Sequence, residues 1–180
     1  MTTIKQFAKL AAFAAIAALG ATGGAAQAAS ATANASGTVI APIAITAPVN
    51  LVFGSFAAGP GGTVTVSTSG VRAASGVLLT GSATITAARF NITGEAGATY
   101  SITHSGTAVL TNTTGTGGET MALSKFSDLT AGNATSGNVA TGTLDGAGTQ
   151  SLYVGGVLTV APGQAPGVYA GTVIATVDYN

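Results

Sequence analysis

The chain has 180 residues, no cysteine, and five Lys and Arg against five Asp and Glu. So few basic residues exclude a nucleic-acid-binding surface, which depends on clustered lysine and arginine, and the missing cysteine excludes a disulfide scaffold, a thiolate zinc site and a cysteine nucleophile. Because charge normally keeps a protein surface soluble, this composition favours a domain that hides part of its surface in an assembly.

Residues 1–28 have the three parts of a secretory signal peptide. Two lysines open the segment, Leu10–Ala21 is an apolar run, and Ala26-Gln27-Ala28 is a cleavage site of small residues. The alternative, an N-terminal membrane anchor, requires a longer apolar span. The sequence therefore predicts an exported protein with no transmembrane segment after cleavage, whose mature chain starts near Ala29.

The mature chain alternates apolar and polar residues over short stretches separated by glycine-rich turns, which is the pattern of β-strands. No stretch has the periodicity of an amphipathic helix. Several short strands at this spacing predict one all-β domain over residues 39–180, a β-sandwich of immunoglobulin-like architecture. The predicted strands lie, in chain order, at 39–45, 51–54, 63–67, 82–93, 100–103, 121–123, 138–144, 150–160 and 168–179.

The residues that commonly carry catalysis or bind metal are sparse in this sequence. His104 is the only histidine of the mature chain, and no nucleophile elbow or partner carboxylate accompanies it. Asp145-Gly146-Ala147-Gly148 has one carboxylate where a calcium loop needs several oxygen ligands, so a hairpin turn is the better interpretation. We therefore expect no catalytic residue, no cofactor and no metal.

The C-terminal strand has the most specific pattern in the chain. Val173, Ala175, Val177 and Tyr179 fall on one face, and Gly167 stands fourteen positions from the end. This stretch resembles the C-terminal motif of chaperone–usher pilins. The resemblance implies an incomplete, pilin-like sandwich whose missing strand is supplied first by a periplasmic chaperone and then by the next subunit. It also implies an outer-membrane usher, and it makes these five residues assembly residues.

Longer stretches carry a second resemblance. The segments VIAPIAIT, NLVFGSF, FNITGEAGATYSI and LYVGGVLTVAPGQAPGVYAGTVIATVDY are similar to a family of secreted bacterial proteins, a domain of unknown function close to the spore-coat-protein-U-like and fimbrial subunits. The similarity runs from Val39 to Tyr179. It implies a pilin-like β-sandwich that assembles and does not catalyse.

The pilin resemblance requires a donor strand, and residues 29–38 are the candidate. Ala31, Ala33, Ala35 and Val39 alternate with polar residues, and the segment has no charge, although an ordinary disordered leader has the same composition. Pilin donor strands usually present bulky apolar side chains, and alanine forfeits much of the ~1.5–3 kcal/mol that each contributes. Either Val39, Ile43 and Ile45 take part in donation, or the exchange is weak.

Two functions compete on this sequence. The first is a structural subunit of a surface pilus or fibre (fimbrium), built from identical or related subunits by β-strand complementation outside the cell. The alternative is a self-complete secreted adhesin that recognises carbohydrate or protein through its loops. Aromatic loop residues would favour the adhesin, and Phe56 and Phe126 are the aromatics that the strand pattern leaves outside the predicted core.

Overall fold

The computed structural model describes residues 27–81, 83–114 and 118–180. These residues are all-β and contain no helix. Residues 27–43 belong to none of the strands. The predicted signal peptide, apart from its last two residues, lies outside the described part of the chain. The strands are β1 Ala44–Val49, β2 Phe56–Ala57, β3 Gly62–Val66, β4 Arg72–Ser75, β5 Leu78–Leu79, β6 Ala88–Thr93, β7 Thr99–Gly106, β8 Val109–Asn112, β9 Thr120–Asp128, β10 Thr141–Thr143, β11 Thr149–Val160, β12 Tyr169–Ala170 and β13 Val173–Tyr179.

One long strand organises the large sheet of eight strands. β11 has 12 residues, and its whole middle pairs with β9 along one edge. Along the other edge, Thr149–Val154 pair with β6, and Gly156–Val160 pair with β3. The change of partner falls at Gly155, where a side chain would meet the Phe126 ring and the carbonyl oxygen of Val66, the latter at 2.5 Å. A glycine is therefore required for the close approach of these strands.

β1 lies at the edge of the large sheet. Among the described strands it pairs only with β6, in a ladder whose register shifts between Thr46 and Val49. Pro48 lies within that interval and has no N–H to donate, so it fits an edge strand and not a central one. The other edge of this sheet runs through β8 to the short β12.

The smaller sheets complete the fold. β10, β7 and β13 form a three-stranded sheet, and β2 pairs with β5 in a two-stranded ribbon. β13 pairs with β7 along its full length, from Val173 opposite Gly106 to Tyr179 opposite Tyr100. It is an edge strand, because it has no second strand beside it in the described part of the chain.

Two apolar clusters hold the sheets together. The first joins Ile92 and Leu152 of the large sheet to Tyr100 and Val177 of the small sheet, so the two sheets pack face to face. The second lies under the other half of β11, where Leu158 meets residues of β3 and β9. Burying a large apolar side chain contributes about 1.5–3 kcal/mol relative to leaving it exposed. This packing confirms the predicted all-β fold of immunoglobulin-like type.

Candidate functional site

The predicted assembly residues of β13 share its inner face. Ala175 and Val177 are buried in the first apolar cluster, and Val173 and Tyr179 pack against that cluster. The intervening residues point outward and are exposed. The strand thus presents an apolar inner face while one backbone edge stays unpaired, which is the arrangement that accepts an additional strand.

Tyr179 fastens the first described residues of the domain to its last strand. Its hydroxyl donates to the carbonyl oxygen of Ala41 at 2.8 Å and accepts from the N–H of Glu95 at 2.6 Å. The carboxylate of Glu95 closes the ring by accepting the N–H of Ala41 at 3.0 Å. The neighbouring Gly94 is needed here, because a side chain at that position would collide with the tyrosine hydroxyl. The chain before Ala41 therefore leaves the domain beside the C-terminal end of β13.

Gly167 lies just before β12, in the segment that leads to the start of β13. The carboxamide of Asn112 packs against its Cα, with Nδ2 donating to the carbonyl oxygen of Pro166 at 3.4 Å and Oδ1 accepting from the N–H of Thr114 at 2.9 Å. A Cβ at position 167 would overlap that carboxamide. Glycine is therefore required at this position, because a side chain would keep the segment before β12 from packing onto β8.

An open apolar cavity of about 780 Å³ lies next to the start of β13. One wall is formed by residues 51–58 and the other by residues 164–171 together with Val173. Its floor consists of large apolar side chains that belong to the second cluster or pack on it: Leu110, Met121, Leu123 and Leu158. We call this space the acceptor cavity. Val173, the first residue of β13, is one of its lining residues.

Hydrogen bonds hold both walls of the acceptor cavity in place. Nη1 of Arg72 donates to the carbonyl oxygens of Phe53 at 3.0 Å and Ser55 at 3.1 Å in the first wall. In the second wall, the hydroxyl of Tyr169 donates to the carbonyl oxygen of Ala165 at 2.8 Å and accepts from Nε2 of Gln164 at 2.8 Å. Both walls of the cavity are therefore held by hydrogen bonds within the domain itself.

The candidate donor residues lie outside every strand. Ala31, Ala33 and Ala35 are exposed, and residues 27–38 form no regular structure. Val39 is 99% exposed and Ile40 is 51% exposed. The predicted first strand over 39–45 is wrong in its bounds, because the strand begins at Ala44, after Pro42 has ended any continuation of the ladder toward the N-terminus.

The isoleucines that follow are already used by the domain itself. Ile43 and Ile45 pack against the first apolar cluster. They cannot serve as donor side chains for another molecule without leaving their own core. Of the bulky apolar residues near the start of the domain, Val39 and Ile40 are the ones left exposed to solvent.

The two aromatics considered as loop ligands have other roles. Phe126 is 3% exposed within β9 and packs across Gly155, so its assignment to a loop surface is wrong. Strand alternation missed it, because Phe126 and Ser127 are adjacent and both buried. Phe56 is half-buried against the second cluster and lines the acceptor cavity.

His104 lies on β7 near the partly buried cation of Lys125. Nζ of Lys125 donates to the carbonyl oxygens of Ser105 at 2.8 Å and Thr107 at 3.0 Å. Burial lowers the pKa of His104 below its usual value near 6.5, and the Lys125 charge lowers it further. Nε2 of the histidine is buried and has no hydrogen-bond partner within the described residues. Both the burial and the Lys125 charge favour the neutral form of the imidazole.

The single-carboxylate turn predicted between two strands is present. Oδ1 of Asp145 accepts the N–H groups of Ala147 at 2.9 Å and Thr149 at 2.8 Å, and Oδ2 accepts the hydroxyl of Thr149 at 2.9 Å. These bonds lower the pKa of the carboxyl group and use it to shape the hairpin between β10 and β11. Over residues 27–81, 83–114 and 118–180, no three His, Asp or Glu side chains cluster as metal ligands would.

The searched part of the chain has no helix that is long and apolar enough to cross a membrane. No curated protein and no solved structure matches the sequence significantly. One protein family does match: the model of the domain of unknown function DUF4402 covers residues 43–179, which includes every strand of the described structure. The chain belongs to the DUF4402 family.

Proposed function

We propose that this protein is a structural subunit of a surface fibre, in which a segment of one copy completes the sandwich of the next by adding a strand along β13. The observation that carries the proposal is the unpaired edge of β13 in the described part of the chain, together with the acceptor cavity that Val173, the first residue of this strand, lines. An unpaired edge and an exposed apolar hollow are both liabilities for a protein that stays alone. An added strand removes both, since its backbone pairs with β13 and its side chains fill the cavity.

The direction of assembly follows from the two ends of β13. The chain before Ala41 departs at the Tyr179 end, whereas the acceptor cavity opens at the Val173 end. A segment leaving one end and a receptor at the other make a head-to-tail contact, which is heterologous and, in the fibre proposed here, passes from copy to copy without closing a ring. Repeated addition therefore gives an open filament, and the donor strand runs antiparallel to β13.

The arm has the length for this contact. β13 has seven residues and spans about 23 Å at ~3.3 Å per residue. The segment from Ala31 to Ile40 extends for roughly 30 Å at the same rise. In the head-to-tail arrangement, Ile40 and Val39 of the incoming copy reach the acceptor cavity first. The alanines then run toward the Tyr179 end.

This order matches side-chain size to available space. The incoming arm lies in a groove formed by the edge of β13 and the acceptor cavity. The cavity is the wide part of this groove, and it receives the two bulky residues of the arm. Farther along, Ile45 and Val177 of the acceptor already fill the interior, so small side chains fit there. An arm rich in alanine is thus suited to this groove, and Val39 and Ile40 supply most of the apolar burial.

Export by a signal peptide, transfer by a periplasmic chaperone and passage through an outer-membrane usher belong to the same proposal. A chaperone that lends a strand to β13 would protect the unpaired edge until a second copy replaces it. The protein would then reach the cell surface as part of a fimbrium.

The test is the size of the protein in surface extracts of the bacterium that makes it, run in detergent with and without heating. We expect a ladder of subunit multiples that collapses on heating, because strand exchange is non-covalent. The Val39→Asp/Ile40→Asp double variant should lose the ladder and remain a folded monomer. Val71→Asp is a control, since Val71 is also exposed and does not line the cavity, and it should keep the ladder. A single monomer band for the unmodified protein in both lanes would contradict the proposal.

A further inference from the structure

A second cavity lies on the outer face of the large sheet, away from β13. Strand register places Val49 opposite Arg89, Arg89 opposite Tyr153, and Tyr153 opposite Asp128. Residues paired in this way project to the same side of a sheet. Since Ala88 and Val154, the neighbours of this row, are buried in the first apolar cluster, the row faces the other way.

The cavity above this row measures about 240 Å³. The turn at Thr68–Gly70 and residue Ala131 form one side, and Ile85–Ala87 form another, around Arg89 and Tyr153. We call it the Arg89 pocket. Its volume is below the ~300–1,000 Å³ usual for drug-sized ligands, so it suits a small acid or a single sugar ring.

Hydrogen bonds to Asp128 fix one wall of the Arg89 pocket. The carboxylate accepts the N–H groups of Thr130 at 3.0 Å and Gly132 at 2.9 Å, as well as the hydroxyl of Thr68. The hydroxyl of Ser69 donates to Oδ1 of Asn133 at 2.8 Å and ties the turn to the same loop. Asp128 is therefore occupied by its own loop and does not neutralise Arg89.

Arg89 is only partly buried, but one nitrogen of its guanidinium is left unsatisfied. Its Nε is buried and finds no hydrogen-bond acceptor in the described chain. Leaving a buried donor to a charged group unsatisfied is costly, and the planar fork of a guanidinium is matched best by a carboxylate or phosphate. The contrast with Arg72 is informative, because that guanidinium is satisfied by two backbone carbonyls.

The charge balance of the pocket selects between these anions. Arg89 is the one cation among the residues that line it, and the Asp128 carboxylate closes the same row. A phosphate carries about −1.5 to −2 charge, which is more than one arginine balances. A carboxylate carries one charge and is balanced by one arginine.

The remaining lining favours a sugar acid over a simple acid. Tyr153 offers an aromatic ring beside the guanidinium, and Val49 and Ile85 offer apolar surface. Aromatic rings with a polar rim are the usual platform for the C–H face of a sugar. We propose that the Arg89 pocket binds an acidic sugar, with the guanidinium of Arg89 on its carboxylate and Tyr153 against its ring.

The test is calorimetric titration of the mature protein with D-glucuronate, D-glucose and acetate at matched ionic strength. We expect D-glucuronate to bind one site per chain, and D-glucose and acetate to bind at least about tenfold more weakly, because each lacks one half of the interaction. Arg89→Gln should weaken D-glucuronate binding by roughly tenfold to a hundredfold. Lys125→Gln makes the same change in net charge outside the pocket and should leave binding unchanged.

Each other outcome overturns the proposal. Absence of D-glucuronate binding, or equal binding by Arg89→Gln, would remove the assigned carboxylate site. Equal binding of acetate would remove the sugar, and equal binding of D-glucose would remove the role of the carboxylate. The unfolding midpoint of each variant, read by circular dichroism, separates a lost site from a lost fold. Since the pocket lies away from β13, these results do not depend on whether the protein assembles.

Discussion

Replacing Tyr179 by phenylalanine removes only the hydroxyl that joins the two ends of the domain. The ring stays against the first apolar cluster, so no cavity is created. What is lost is one hydrogen bond from the N–H of Glu95 and one to the carbonyl oxygen of Ala41. Each such bond contributes about 0.5–1.5 kcal/mol net, so we expect the free energy of unfolding to fall by about 1–3 kcal/mol.

The chain provides a matched control for this variant. Tyr169 makes two hydrogen bonds of the same kind, from Nε2 of Gln164 and to the carbonyl oxygen of Ala165. Tyr169→Phe should therefore cost a similar amount in urea unfolding. Only Tyr179→Phe should also speed hydrogen exchange at the Glu95 amide, because that amide is the donor to the removed hydroxyl.

Two results would refute this account of Tyr179. One is a change in the free energy of unfolding below about 0.3 kcal/mol, which would mean that the two hydrogen bonds have no net value. The other is unaltered exchange at Glu95, which would mean that the amide is protected by something other than Tyr179. The hydrogen bond between Glu95 and Ala41 remains in the variant and keeps the start of the domain partly attached. It therefore limits how far the free energy of unfolding can fall.

Three further predictions test the fold around the site. Gly167→Ala should lower the free energy of unfolding by about 1–3 kcal/mol in urea, because its methyl group overlaps the carboxamide of Asn112. Leu123→Ala, beside a cavity that is already open, should cost near the lower end of the usual ~2–5 kcal/mol, and Leu152→Ala, inside the closed cluster, near the upper end, again by urea unfolding. His104 has a lowered pKa in the folded state, so the unfolded chain takes up its proton first; its contribution to stability is full above about pH 6.5 and is lost as the pH falls from there. Unfolding curves between pH 7 and 5 should show a smaller loss for His104→Gln than for the unmodified protein.

The sequence was sufficient for several of the strands and for the face of β13. Alternation places Thr63–Val66 and Val173–Tyr179 in strands, and both are strands in the structure. Alternation reports only which side of a strand is apolar, however, and it is silent about the strand beside it. The exchange of partners along β11 at Gly155 depends on contacts between distant segments, and no local pattern announces it.

Neither cavity could be predicted from the sequence, because each is lined by residues from distant parts of the chain. Arg89, Tyr153 and Asp128 belong to three different strands, and only the register of β6, β11 and β9 brings them into one row. By type alone, these three residues look like ordinary surface residues. A single arginine beside an apolar stretch predicts nothing until its lack of a partner is seen in three dimensions.

The position of the isoleucines resolves the question that the alanine-rich arm raised. Donation by Ile43 or Ile45 would empty the first apolar cluster of the donor copy, at a cost of the order of the gain in the acceptor. Val39 and Ile40 carry no such cost, since both are exposed before contact and lie next to the anchor at Ala41. In the proposed assembly, burial by the arm rests on these two side chains, whereas a pilin arm with several bulky residues spreads the same burial over its length. We therefore expect fibres of this subunit to dissociate at a lower temperature than those of bulky-armed pilins. An Ala35→Ile substitution should raise the dissociation temperature only if the groove widens enough to admit the isoleucine side chain.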